Sequence, residues 1–295
     1  MGSTQFGNFH NFCRDTTLPV CNLFVPSNQP PNGAFGGCAL KGISLDNGRY
    51  LGNLGSILLA FFAIITCLAL ILLSEKKRAA VGRREIQLFL LGYIIISICE
   101  IFTVGAFPLA DNVRKGFSAV HVAAITATTW ILFLNALVGF QILDDGTPLS
   151  LGLFAGSGAA LFIGTGYIAL DTGFSWTGHF DSSLSGNNRN IGLYVLYLLF
   201  PLVCLFFFYV LEALLVIRVL GEKRPLIYLT AATLLFAIGQ IFNFVVSPHI
   251  CNPLNGKING ALFETLFSWL SVVGVWLFWS SITEDDWPSV AGGYN

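Results

Sequence analysis

Charge is what this chain has least of. Only 11% of its 295 residues are Asp, Glu, Lys or Arg, and they nearly cancel to a formal net charge of −1. So thin a supply of charge leaves no extended basic face for nucleic acid. It also cannot give a soluble surface to a chain that is 55% hydrophobic. Catalytic signatures are missing too: the chain has no HExxH, no GxSxG and no phosphate-cradling glycine loop. The first 17 residues hold no apolar core of the kind a cleavable signal peptide needs, so the first span is expected to act as the insertion signal.

What the chain does have is long apolar runs. Seven stand out, at Tyr50–Leu73, Ile86–Leu109, Phe117–Leu143, Leu151–Leu170, Ile191–Ile217, Leu226–Ser247 and Ala261–Ile282. At about 1.5 Å per residue, each can cross a hydrocarbon layer of roughly 30 Å as a helix. Backbone amides cannot go unpaired in lipid, so segments of this length and composition are expected to be helical. The fold class that follows is an all-α integral membrane protein, a seven-transmembrane helix bundle. A Cys/Pro/Gly-rich tail (1–49) precedes the membrane domain (50–282), and a short acidic tail (283–295) follows it.

Orientation is read from lysine and arginine. The loop after the first span carries Lys76, Lys77, Arg78, Arg83 and Arg84, and the loop after the fifth carries Arg218, Lys223 and Arg224. The opposite loops hold only Arg114, Lys115, Arg189 and Lys257. Basic residues concentrate on the cytosolic side, so the N-terminus is expected to be lumenal and the C-terminus cytosolic. Cys13, Cys21, Cys38 and Cys251 then all face an oxidising lumen, whereas Cys67, Cys99 and Cys204 fall inside spans. Four cysteines allow three pairings, which the sequence leaves open. The reading favoured here has one bridge tying the tail to Cys251.

Polar residues inside spans are costly and need a reason. Glu100, Asn135, Gln141 and Glu212 are the candidates for a polar core or for a groove that receives polar groups of another membrane protein; Gln240, Asn243, Glu264 and His121 are further polar residues of the spans. In the fourth span Gly152, Gly156, Ala160 and Gly164 recur every four residues, a candidate helix-packing face, more readily within this chain than toward another. Glu284, Asp285 and Asp286 form an acidic cluster that a coat adaptor could read as an export signal. Histidines 10, 121, 179 and 249 with Asp111, Asp171 and Asp181 could in principle build a metal hydrolase, but they share no helical face, and no catalytic residue, metal or cofactor is expected. A small-molecule receptor or transporter is the alternative class. Against it, the third span lacks an Asp-Arg-Tyr switch, the seventh lacks Asn-Pro-x-x-Tyr, and Pro201 is the only clear candidate for a broken helix.

Four runs carry a resemblance. Leu18-Pro19-Val20-Cys21, the segment Ala80 to Ile86 (AVGRREI), the segment Asn135 to Ser150 (NALVGFQILDDGTPLS) and the closing run Phe278 to Asp286 (FWSSITEDD) resemble the fungal chitin synthase export chaperone family, together with the cysteine positions. That resemblance implies a non-enzymatic multi-pass protein of the endoplasmic reticulum membrane. Its partner would be chitin synthase, which it would help to fold and to leave for the cell surface.

Overall fold

The computed structural model describes residues 6–25, 34–38, 40–41, 43–45, 49–103, 110–141, 147–180 and 189–283. A short helix α1 (His10–Asp15) and a 3₁₀ turn (Pro19–Phe24) open the chain, followed by an antiparallel hairpin of β1 (Ile43–Leu45) and β2 (Arg49–Leu51). Seven long helices follow: α2 (Leu54–Lys76), α3 (Arg83–Thr103), α4 (Asp111–Gly139), α5 (Pro148–Phe174), α6 (Ile191–Leu220), α7 (Arg224–Cys251) and α8 (Gly260–Ser281). All seven are long and apolar enough to cross a membrane.

The bounds differ from expectation where polar residues find partners. Helix α2 starts at Leu54 rather than Tyr50, because Arg49–Leu51 is paired with β1. Helix α4 starts at Asp111, six residues earlier than Phe117. That extra turn is held by an ion pair of Arg114 with Asp111 and by Lys115 Nζ donating to the Gly173 carbonyl at 3.1 Å. Both cations are thereby buried without being left unpaired.

Proline shapes two of the helices. A proline has no N–H and its ring crowds the carbonyl four residues back. Pro201 and Pro248 each follow a wide π-helical stretch, Tyr194–Leu199 and Phe242–Val246, that relieves the crowding. A third such stretch, Leu215–Leu220, ends α6.

Helix α4 packs against α3, α5 and α6, while α8 packs against α7 and α2. Lipid offers no hydrophobic gain for helix association, so close backbone approach decides the packing. Helix α2 shows this: Ser56, Ala60, Ala63, Cys67, Leu70 and Ser74 are buried, while Leu58, Phe61, Phe62, Ile65 and Leu68 face outward. Where α7 meets α8, a Cβ added to Gly274 would lie 2.9 Å from the Ala232 Cβ, and one added to Gly239 would lie 3.1 Å from the Phe267 Cβ.

Two ends can be distinguished. The basic end carries the α2–α3 and α6–α7 connectors, and the tail end receives the N-terminal segment. That segment is part of the bundle rather than a loose extension: Phe9, Val20, Leu23 and Phe24 share one core with Ala119, Val122, Ala169, Leu193 and Tyr197. Asn22 Nδ2 donates to the Thr103 carbonyl (3.1 Å) and to Ser118 Oγ (2.9 Å), and the Asn190 amide donates to the Gly7 carbonyl (2.9 Å). Cys13 is bridged to Cys21, and Cys38 to Cys251. The second bridge joins the tail to the end of α7, and Cys67, Cys99 and Cys204 are buried thiols within the helices.

Candidate functional site

Four helix ends meet at the basic end: the N-terminus of α3 and the C-termini of α4, α6 and α8. Between them lies a cavity of about 340 Å³. Helix α3 and its approach contribute Val81, Gly82 and Ile86, α4 contributes Asn135, Gly139, Phe140 and Gln141, and α6 contributes Phe208, Glu212, Leu215, Val219 and Leu220. Helix α8 supplies Val275, Phe278 and Trp279, with Ile282 and Thr283 beyond it.

Local sequence explains why the space exists. Gly82 has φ +69°, a left-handed conformation that a side chain rarely adopts, and a Cβ there would stand 3.5 Å from Asn135 Nδ2. Gly139 leaves the wall of α4 open: a Cβ there would lie 3.0 Å from Leu215 Cδ2 and 4.0 Å from both carboxylate oxygens of Glu212. Gln141, at φ +54°, turns the chain out of α4, its amide donating to the Val138 carbonyl at 2.7 Å. The floor is fixed by Trp279, whose Nε1 donates to the Val81 carbonyl at 2.9 Å.

Two polar groups in this cavity are unsatisfied. Asn135 is 7% and Glu212 3% exposed, and neither Asn135 Nδ2 nor Glu212 Oε2 has a hydrogen-bond partner among the described residues. An unmade buried hydrogen bond costs about 1–3 kcal/mol, and more for a charged group. Such groups at the wall of an open chamber are suited to completing their bonding with a polar group from outside.

The structure therefore brings Asn135, Gln141 and Glu212 together and leaves Glu100 elsewhere. Glu100 lies about 20 Å along α3 from Ile86 at 1.5 Å per residue. There it accepts a hydrogen bond from the Thr265 hydroxyl of α8. The neighbouring Glu264 accepts from Ser268 Oγ (2.9 Å) and Gln240 Nε2 (3.5 Å), so this second cluster is internally bonded.

The small-residue stripe of α5 is not the packing face within this chain that its spacing suggests. Gly152, Gly156, Ala160 and Gly164 are exposed, and a Cβ added to any of the three glycines would meet nothing within 4 Å. Helix α5 instead turns Phe154, Gly158, Thr165 and Ala169 inward, with Gly158 against Ile131 of α4. Trp130 Nε1 of α4 donates to Ser157 Oγ of α5 at 2.9 Å. The four-residue spacing defines a face but does not say which way it points. Glu284, Asp285 and Asp286 lie outside the described residues.

Asp171 is fully buried and accepts from the backbone N–H groups of Thr177 (2.5 Å) and Phe180 (2.8 Å), which makes it a brace for the chain after α5. Among the described residues no group of three or more His, Cys, Asp or Glu side chains could hold a metal ion. Reading from sequence missed Gly82, Gly139, Phe278 and Trp279 as cavity walls. The signal was present: three of the four runs that carry the family resemblance, those beginning at Ala80, Asn135 and Phe278, converge on this chamber.

Seven apolar helices, four of whose ends frame a chamber with two unmet hydrogen bonds, define a polytopic membrane protein. More narrowly, the chain belongs to the chitin synthase export chaperone family, whose family model matches residues 5–292. It is 31% identical over 284 residues to the chitin synthase export chaperone of Coccidioides immitis (strain RS), covering 96% of this chain and 84% of that protein. The protein of the same name from Chaetomium globosum is 31% identical over 284 residues, covering 95% of this chain and 83% of that protein. That of Cryptococcus neoformans var. neoformans is 30% identical over 284 residues, covering 96% of this chain and 76% of that protein. No solved structure matches.

Proposed function

We propose that this protein is a non-enzymatic chaperone of the endoplasmic reticulum membrane that assists a chitin synthase to fold and to leave for the cell surface. Family membership supports that reading over a receptor or transporter. The observation that carries its mechanism is the convergence of three resemblance-bearing runs on a chamber whose buried Asn135 and Glu212 have unmet hydrogen bonds. Nascent multi-span enzymes expose polar side chains in lipid before their own helices assemble, and a chamber with complementary groups masks them. The outward stripe of α5 offers a second surface on which another helix can pack closely.

The proposed orientation puts the basic end in the cytosol and the bridged tail end in the lumen. It rests on the positive-inside bias and on the need of disulfides for an oxidising compartment. Export is assigned to the acidic run Glu284–Asp286 as a signal for a coat adaptor.

Replacing both Asn135 and Gln141 with leucine is expected to reduce co-purification of co-expressed chitin synthase several-fold while this protein stays inserted and abundant. Unchanged capture would remove the chamber from the mechanism. In the same assay, alanines at Glu284, Asp285 and Asp286 should leave binding intact and hold the complex in the reticulum. Normal surface delivery would dismiss the adaptor signal.

A further inference from the structure

We propose that the chamber at the basic end takes a cationic side chain, a lysine or arginine at the cytosolic end of a transmembrane helix of the client. This rests on the chaperone reading and orientation above and names the chemistry that the chamber recognises.

The walls are selective for positive charge. Among the described residues that line the cavity, Glu212 is the only ionisable one, and none is a lysine or arginine. A buried carboxylate without a cation is an expensive arrangement, and its natural complement is an ammonium or guanidinium group. Phe208 lies one helical turn from Glu212, and Trp279 faces the same space. Aromatic rings around a carboxylate favour a cation through their negative faces.

Helix termini add to the same sign. Three of the four ends that frame the chamber, those of α4, α6 and α8, are C-termini, which carry partial negative charge on unsatisfied carbonyls. An anionic ligand would face Glu212 and all three of these ends. An apolar one would leave the acceptor Glu212 Oε2 unpaired.

The source of the cation follows from membrane topology. Polytopic proteins concentrate lysine and arginine at the cytosolic ends of their helices. The chamber lies at that depth in the proposed orientation, so a basic residue flanking a client helix arrives opposite it. Long basic side chains lie along apolar surface and extend only their charged head, which suits a chamber with apolar walls and one buried acceptor.

The test is recovery of co-expressed chitin synthase with the full-length protein in mild detergent. Glu212→Gln is expected to lower recovery about tenfold, since losing one partner of a desolvated charge pair is costly. Glu212→Lys should abolish it. Glutamate is then placed, one position at a time, at each lysine or arginine flanking the cytosolic end of a client helix, and one such variant should restore capture by Glu212→Lys.

Full recovery with Glu212→Gln overturns the proposal, as does failure of every reversed client to restore capture. Gln141, exposed at the rim, gives an independent reading if the Glu212 variants do not accumulate. Gln141→Glu should raise the salt resistance of the complex and Gln141→Lys should lower it, and the opposite order overturns the proposal. If the unaltered protein recovers no chitin synthase at all, the chaperone reading itself has failed. Equal recovery by every variant removes only the cation.

Discussion

Replacing Cys38 and Cys251 together with serine is expected to lower the thermal unfolding midpoint of the purified protein more than replacing Cys13 and Cys21 together. The bridge closes a sequence separation of 213 residues, against 8 for Cys13–Cys21. In the chain-entropy description the longer ring restricts the unfolded chain roughly twice as strongly. Helices that stay inserted in lipid already restrict that chain, so the expected loss is about 2–4 kcal/mol rather than the full value. A local cost adds to it: the tail segment at Lys41, whose amide donates to the Gly256 carbonyl at 2.7 Å, loses its covalent anchor. The check is a pair of detergent melting curves under non-reducing conditions. A double serine variant at 38 and 251 that melts with the parent would show that the tail is held by packing alone.

Asp171→Ala should produce the second large loss, about 2–4 kcal/mol. Its carboxylate accepts two backbone N–H groups, those of Thr177 and Phe180, and removing it leaves both donors without an acceptor. The effect spreads through Asn190, whose Nδ2 donates to the Phe180 carbonyl at 3.0 Å and to Thr172 Oγ1 at 2.8 Å. Asn190 also accepts from the Leu193 amide at 2.9 Å, capping α6. Among the described residues, Asp171, Thr172, Thr177, Phe180 and Asn190 thus form one connected hydrogen-bond network, to which the N-terminal segment is joined by the Asn190 amide donating to the Gly7 carbonyl. Asp171→Asn, which keeps one acceptor oxygen, should lose clearly less. Equal melting of the alanine variant and the parent would place the brace elsewhere.

The seven helices were legible because hydropathy over some twenty residues has no competing explanation. Which face of each helix turns inward was much less so. In a soluble protein an apolar stripe marks the buried side, but in lipid both sides are apolar. Size largely replaces polarity as the code in α2, where five of the six buried residues (Ser56, Ala60, Ala63, Cys67 and Ser74, with Leu70 the exception) are small. In α5 the same code misleads, since its glycine stripe is exposed and its buried face includes Phe154.

Polar residues were the better guide. Asn135, Gln141 and Glu212 were singled out by their depth and are found around one chamber, because unpaired polar groups in lipid must turn toward protein or water. Glu100 was singled out by the same reasoning and belongs to an internally bonded cluster, a difference that only its contact with Thr265 reveals. The docked tail was hidden for another reason. Its apolar residues, Phe9, Val20, Leu23 and Phe24, are spaced too irregularly to mark a face, and their burial depends on helices distant in sequence, with partners from Ala119 to Tyr197.

The chamber as client site is tested most directly by photocrosslinking in cells that co-express chitin synthase. A photoreactive residue is placed either at Val219, exposed on the chamber rim, or at Gly156, in the outward stripe of α5. Val219 should yield a covalent adduct with chitin synthase, mapping to a basic stretch that flanks one of its transmembrane helices. Adducts from Gly156 with none from Val219 would put the client on α5 and leave the chamber without the role assigned to it.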